Sequence, residues 1–304
     1  MPRTVEVRVP TYRRPRLLRR ALQSVQSQTH ENWRCIVFDD SPKREAELVC
    51  RELADERIVY RPNPQNLGAG RNIDQAFRKQ PYLEGDVFCV VEDDNYLLPK
   101  FLEANLRVMS DTGATVVQRN QWMEQNARGE NPGELDGTIF EGIMSERLWP
   151  AEQFKAALFV RRGISNGGLM WAGNCQSDFE TGCADPILQE TQRTFLLVDP
   201  IYLALEPLAV WRANGGETSR AQGSYREFLS TSREIQTMCM KIYDDLKASG
   251  KLGVLRGDDF RLPPPKLEEG VWRSLRRWPG PSTISVQRRL ALLAKAAVLR
   301  WSPV

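Results

Sequence analysis

The sequence predicts an α/β protein built on an open, largely parallel mixed sheet of seven or eight strands, with helices on both faces and a helical C-terminal extension. Three observations carry that expectation. Short continuous apolar runs, such as Cys35-Ile36-Val37-Phe38 and Val87-Phe88-Cys89-Val90-Val91, have the length and composition of strands buried on both faces. Segments with apolar residues at helical spacing separate the runs, and strands alternating with helices build parallel sheets. Acidic clusters, Asp39-Asp40 and Glu92-Asp93-Asp94-Asn95, follow those two runs directly, at the carboxyl ends of strands where ligands of such sheets bind.

Val5-Glu6-Val7-Arg8-Val9 alternates and is β-branched until Pro10 breaks it, which makes a first strand. After Pro15, Leu17, Leu18, Ala21, Leu22 and Val25 recur at helical spacing, and the pattern stops near Thr29. Residues 34–38 form the second strand, closed by Asp39-Asp40-Ser41-Pro42, and a helix over 43–54 and a strand at 58–60 come next. Gly68-Ala69-Gly70 opens a helix through Phe77, and the run 86–91 is another buried strand. A helix at 100–109 and a strand at 114–118 follow. Residues 120–150 are polar and Gly-rich and read as loops over a site. A long helical pattern spans 225–247, and residues 256–266, with Pro263-Pro264-Pro265, read as a linker. The expected organisation is a first half over 1–120, a second half over 121–220 and an extension over 221–304.

Composition narrows the function classes. With 304 residues, 41% hydrophobic and 27% charged, the chain can bury a full core and is not a disordered one. A net charge of +3 is too small for a nucleic-acid binder that works by charge alone. The six cysteines, at 35, 50, 89, 175, 183 and 239, include no C-x-x-C pair and read as reduced, mostly buried thiols of a cytoplasmic protein. The single histidine, His30, reads as a surface loop residue, so a histidine metal cluster or a serine-hydrolase triad is hard to build. No signal peptide or membrane span is expected from the sequence.

The chemistry starts from Glu92-Asp93-Asp94-Asn95. Clustered carboxylates repel one another and are tolerable when a cation sits among them. Hard oxygen donors suit Mg²⁺ or Mn²⁺, which use one or two carboxylates together with substrate phosphates. A solvated acidic turn or a helix N-cap is the plain alternative. Asp39-Asp40 ends the second buried strand, where it can accept from a base or ribose or simply cap a turn. Arg71, in Gly68-Ala69-Gly70-Arg71-Asn72, sits where a guanidinium and helix N-terminal amides meet an anion, or where it pairs with a carboxylate.

The order Val9-Pro10-Thr11-Tyr12, Ser24-Val25-Gln26-Ser27-Gln28-Thr29, Val37-Phe38-Asp39-Asp40-Ser41, Asn66-Leu67-Gly68-Ala69-Gly70-Arg71-Asn72 and Val91-Glu92-Asp93-Asp94-Asn95 resembles the family 2 glycosyltransferases of GT-A fold, a Rossmann-like architecture. The match is close over the first 120 residues and weaker to about residue 220. The resemblance implies a nucleotide-sugar-dependent, inverting transferase that uses Mn²⁺ or Mg²⁺. It implies that Pro10, Thr11 and Tyr12 lie beside the nucleobase, that Asp39 accepts from a uracil or thymine ring, that Asp93 meets the ribose and that Asp94 ligates the metal. Arg71 is similar to a residue near the diphosphate. Two positions depart from the family pattern: Glu92 stands where an aspartate usually opens the acidic motif, and Asn214 stands where many members carry a histidine metal ligand.

In inverting members a carboxylate takes the acceptor's proton during direct displacement at the anomeric carbon. Ala184-Asp185-Pro186-Ile187-Leu188 resembles the stretch that carries this base, which makes Asp185 the first candidate and Asp178 and Glu180 its rivals. An N-cap ahead of Pro186 is the structural alternative for Asp185. Gly167-Gly168 is expected to let the backbone approach the donor or acceptor sugar, or else to make a turn. Trp122 and Trp171 read as core residues more than as sugar-stacking platforms. The expected activity is transfer of a hexose-type sugar from a UDP- or dTDP-sugar to a hydroxyl of a glycan, lipid-linked or small-molecule acceptor. A sugar nucleotidyltransferase would show glycines after the first strand, which Pro10-Thr11-Tyr12-Arg13-Arg14 lacks; a catalytically degenerate sugar-nucleotide-binding module is the non-enzymatic alternative.

From Trp272 to Val304 seven basic residues occur without an acidic one, and Leu290, Leu293, Ala294, Ala297, Val298 and Trp301 share a helical face. A basic amphipathic helix fits an anionic membrane surface, the protein's own core or a partner subunit, as in a homo-oligomer.

Overall fold

In the computed structural model, which describes residues 3–127, 131–140, 142–213 and 225–255, the first half alternates as expected. It runs β1 (Val5–Thr11), α1 (Pro15–Gln26), β2 (Trp33–Asp39), α2 (Glu45–Leu53), β3 (Ile58–Pro62), α3 (Ala69–Gln75) and β4 (Val87–Val90). There follow β5 (Tyr96–Leu97), α4 (Phe101–Thr112), β6 (Val116–Gln125), β7 (Glu134–Thr138), β8 (Arg147–Trp149), α5 (Ala151–Phe154), β9 (Leu169–Ala172), α6 (Pro186–Leu196), β10 (Ile201–Arg212) and α7 (Tyr225–Ala248).

The sheet order is β3-β2-β1-β4-β9-β6-β10-β5, with β7 beside β6 and β8 beside β10. Strands β3, β2, β1 and β4 are mutually parallel, β9 runs antiparallel between β4 and β6, and β6 is parallel to β10. From β1 the chain winds one way to β2 and β3 and then crosses to β4 on the other side. That reversal opens a crevice at the carboxyl ends of β1 and β4.

The described residues form ten strands rather than the seven or eight expected, because the segment read as loops carries β7, β8 and the end of β6. Strand β6 extends to Gln125 through Gln118-Arg119-Asn120-Gln121, whose side chains are all buried. Polar side chains hid this strand, because each needs a distant partner to be tolerated there. Arg119 Nε donates to Asn105 Oδ1 at 2.6 Å and Asn120 Nδ2 to Thr138 Oγ1 at 2.9 Å. The short β7 and β8 carry too few apolar residues to show a pattern.

Pro10 lies inside β1 instead of ending it. Arg8 pairs with Val90 as the last β1–β4 partner, while β1 continues beside β2 to Thr11 and Asp39. The missing N–H of Pro10 therefore falls on the side where β4 pairing has already stopped, and it costs no ladder bond.

Helix α1 starts with Pro15 in its first turn and buries Leu18, Ala21, Leu22 and Val25 in one core with Val5, Val7 and Val9 of β1. The opposite sheet face buries Phe77, Phe88, Trp171, Phe154 and Phe159, and α7 contributes Met238, Cys239, Ile242 and Leu246 to the same core. The first helix of the expected extension is thus part of the core. Trp171 stacks on Phe77 with centroids 5.6 Å apart, as a core residue should, while Trp122 is half-buried. Glu6 and Arg8, which alternate with the β1 valines, form a buried pair at 2.7 Å, and the Arg8 guanidinium lies 4.4 Å from the Phe88 ring centroid. The six cysteines are free thiols, with Cys35, Cys89, Cys175 and Cys239 buried. Among the described residues no helix is long and apolar enough to cross a membrane.

Candidate active site

The crevice between β1 and β4 collects the first group of candidate residues. Thr11, the last residue of β1, pairs with Asp39, the last of β2. Its hydroxyl donates to Asp93 Oδ2 at 2.8 Å, and the Tyr12 amide donates to the same oxygen at 3.2 Å. Asp93 is buried, and burial first and the charge of Asp94 second raise its carboxyl above the ordinary aspartate range. Arg14 opposes that shift: its Nη1 donates to Asp93 Oδ1 at 3.2 Å and to Asp94 Oδ2 at 2.8 Å. Arg20 Nη2 supports the same turn by donating to the Asp94 carbonyl at 2.7 Å, and Arg20 Nη1 reaches Glu124 Oε1 at 3.0 Å.

Asp39 is buried and accepts from the Ser41 amide at 2.9 Å and from the Tyr60 hydroxyl at 3.1 Å. Those two bonds leave acceptor capacity on its carboxylate. Burial, followed by the charge of Asp39, pushes the Tyr60 phenol up. Pro10 is buried, and Tyr12 is 40% exposed at the mouth.

Asp40 has the turn-capping geometry. Its Oδ1 accepts from the Leu67 amide at 2.7 Å and from Asn63 Nδ2 at 2.9 Å, and its Oδ2 accepts from the Gly68 amide at 2.9 Å. The amides before α3 are therefore engaged by Asp40, and Gly68 takes φ 80°, a conformation that glycine adopts without strain. Arg71 is exposed in the first turn of α3.

Glu92 points away from the Asp93–Asp94 pair: Asn95 Nδ2 donates to its Oε2 at 2.9 Å and Asn166 Nδ2 to its Oε1 at 3.3 Å. Gly167 and Gly168 are buried in the turn that follows Asn166. They pack closely on β6, for a Cβ on Gly168 would lie 2.3 Å from the Arg119 carbonyl oxygen and one on Gly167 2.9 Å from Gln121 Nε2.

The second group, Asp178, Glu180 and Asp185, lies on the loop leading into α6. Asp178 and Glu180 are exposed, and Asp178 Oδ1 accepts from the Glu180 amide at 3.2 Å. Asp185 immediately precedes α6; its carbonyl accepts from the Leu188 and Gln189 amides, and Thr231 of α7 donates its hydroxyl to Asp185 Oδ2.

Sequence reasoning missed the residues that hold this loop. Asp74 Oδ1 accepts from the Thr181 amide at 3.0 Å and Oδ2 from the Gly182 amide at 2.7 Å. Buried Arg193 joins Asp74 at 2.8 Å, the Phe179 carbonyl at 2.9 Å and Asn166 Oδ1 at 2.9 Å, with its guanidinium 3.6 Å from the Phe77 ring centroid. Burial lowers the Arg193 guanidinium to about 10, so it remains cationic at neutral pH. A continuous path, Glu92–Asn166–Arg193–Asp74, thus links the acidic turn after β4 to the loop before α6. The available signal was spacing: Asp74 is four residues after Gly70, and Arg193 four after Gln189, so each pair shares a helix face.

Gly70 lets α3 touch that loop. A Cβ there would sit 1.9 Å from the Ala184 carbonyl oxygen, and Gln189 Nε2 clamps the contact by donating to the Gly70 carbonyl at 2.7 Å and the Cys183 carbonyl at 2.6 Å. Gly70→Ala is expected to cost about 1–3 kcal/mol by overpacking against backbone. A urea midpoint unchanged from wild type would contradict this close approach.

Among the described residues no three His, Cys, Asp or Glu side chains converge on a metal-sized site. The geometry offers two adjacent carboxylates whose facing oxygens are bridged by a cationic side chain. That donor set fits a hard divalent ion that takes one or two carboxylates and completes its shell with water and phosphate. Asn214, the other candidate metal contact, and the basic tail lie outside the described residues.

Comparison with known proteins bears on the fold and the family. TarS of S. aureus, solved as residues 1–349 in complex with UDP-GlcNAc, superposes with a TM-score of 0.56 at 13% identity, covering 83% of this chain and 72% of that one. By sequence, a protein of Escherichia coli strain K12 named as a colanic acid biosynthesis glycosyl transferase, WcaA, is 26% identical over 171 residues, 55% of this chain and 57% of its own length. Protein CgeD of Bacillus subtilis strain 168 is 26% identical over 137 residues, 43% of this chain and 32% of its own. The chain therefore spans about half or less of the curated relatives it matches. The family model for Glycosyl transferase family 2 matches residues 6–162, from the first strand through the acidic turn and the β6 region. Strands β2 to β8 and the crevice carboxylates lie inside that span, and the chain belongs to glycosyl transferase family 2.

Proposed function

We propose that the protein transfers a hexose-type sugar, with inversion, from a UDP- or dTDP-sugar to an acceptor hydroxyl. The observation that carries this reading is the buried Asp93–Asp94 turn bridged by a cation beside Thr11 and Asp39 at the sheet's reversal point. The UDP-GlcNAc bound by TarS supports the donor class, through likeness of fold.

In this reading Asp39 accepts from the nucleobase ring N–H, with Tyr60 and the Ser41 amide holding its carboxylate in place. Pro10, Thr11 and Tyr12 border the base. Asp93, fixed by Thr11 and Tyr12, meets the ribose, and Asp94 holds Mg²⁺ or Mn²⁺. The bound ion supplies charge stabilisation for the departing diphosphate. Exposed Arg71 adds a positive charge at the start of α3. Asp185 takes the proton from the acceptor hydroxyl, with Asp178 and Glu180 as alternatives on the same loop. Asp74 and Arg193 fix the backbone from which all three project.

Asp94→Ala tests the donor half. The variant is expected to fold and to lose the metal-dependent tightening of UDP or dTDP binding, because Asp94 ligates the ion and does not fill the core. Calorimetric titration with and without Mn²⁺ reads the result directly. Retention of the wild-type Mn²⁺ effect would move the metal elsewhere.

A further inference from the structure

The acidic pair after β4 already holds a cation of the protein's own. Arg14 sits at the entry to α1, and one of its nitrogens, Nη1, lies 3.2 Å from Asp93 Oδ1 and 2.8 Å from Asp94 Oδ2, bridging the two carboxylates. Asp93 Oδ2 is engaged by Thr11 and Tyr12, so the oxygen that Asp93 turns toward Asp94 is the one Arg14 occupies. The Arg14 side chain is 34% exposed, which lets it swing away without disturbing the core. Its backbone carbonyl, not its side chain, accepts from Leu18 to start α1, so exchange of the side chain leaves the helix start intact.

We propose that Arg14 is a resident counter-ion that a divalent metal must displace, so that the metal enters together with the diphosphate instead of before it. The inference rests on the donor-site reading above and adds an order of binding to it. A bare ion arriving at Asp93 and Asp94 competes with the guanidinium for the same hard oxygens and then meets its repulsion. A metal arriving with a diphosphate brings anionic oxygens to which the displaced guanidinium can turn. Arg14 thus offsets one of the two negative charges before the donor arrives and suppresses binding of metal alone.

Mn²⁺ binding to the full chain, followed by electron paramagnetic resonance, tests this without any turnover. In the absence of nucleotide, Arg14→Gln is expected to bind Mn²⁺ about tenfold more tightly than wild type, the loss of one charge-assisted competitor. Arg14→Lys, which keeps the charge, is expected to stay near wild type. With saturating UDP the gap between Arg14→Gln and wild type is expected to close to within about threefold, since displacement then carries its own compensation. If Arg14→Gln binds Mn²⁺ alone no more tightly than wild type, Arg14 does not compete with the ion and the inference fails while the donor site stands. If neither wild type nor variant takes up Mn²⁺ with or without UDP, the donor-site reading fails and the inference with it.

Discussion

Asp185→Asn is expected to lower turnover about 10²- to 10⁴-fold with donor affinity nearly unchanged, because a base that acts in the transition state contributes little to ground-state binding. The substitution is nearly isosteric. Its Oδ1 can still accept from Thr231, and the carbonyl that caps α6 is untouched. A folding defect is therefore not the expected cause of lost activity. Steady-state kinetics with donor affinity measured separately checks the split. Wild-type turnover in Asp185→Asn, combined with loss in Asp178→Asn or Glu180→Gln, would transfer the base to that residue.

The second large effect is on the scaffold. Arg193→Ala is expected to destabilise the fold by about 3–5 kcal/mol, the usual result of stripping one partner from a buried ion pair. Asp74 would keep its bonds from Thr181 and Gly182 but lose its counter-charge, and the Phe179 carbonyl and Asn166 would lose a donor. Arg193→Leu combined with Asp74→Asn is expected to recover part of that loss, since no unpaired charge is then left buried. Urea denaturation of the three proteins measures both terms. A loss under about 1 kcal/mol in Arg193→Ala would show that the loop is held by other contacts.

How much of this was legible beforehand depends on where the information lies. Strands β2 and β4 announce themselves because both faces are buried, so every residue must be apolar and the run stands out. The carboxylates that follow those strands are equally visible, and the structure bonds Thr11 and Tyr12 to Asp93 and joins Asp93 to Asp94 through Arg14. Strand β6 runs past the expected end at Gln118 because Arg119, Asn120 and Gln121 look solvent-facing until Asn105, Thr138 and Ser165 are placed beside them. Arg193 and Asp74 are 119 positions apart, and the spacing of each within its own helix does not report that the two meet. Asp40 shows a different limit: its residue type suited both a ligand contact and a turn, and only the amides of Leu67 and Gly68 decide the geometry. Gly167 and Gly168 show the same limit, since only the structure reveals how closely their backbone packs on β6.

Calorimetric titration of UDP and dTDP into the wild-type protein, first with Mn²⁺ and then with the metal removed by chelation, tests the central claim most directly. Saturable binding of one or both nucleotides with one site per chain is expected, weakened about tenfold or more when the metal is removed. Absence of binding to either nucleotide at millimolar concentration in the presence of Mn²⁺ would contradict it.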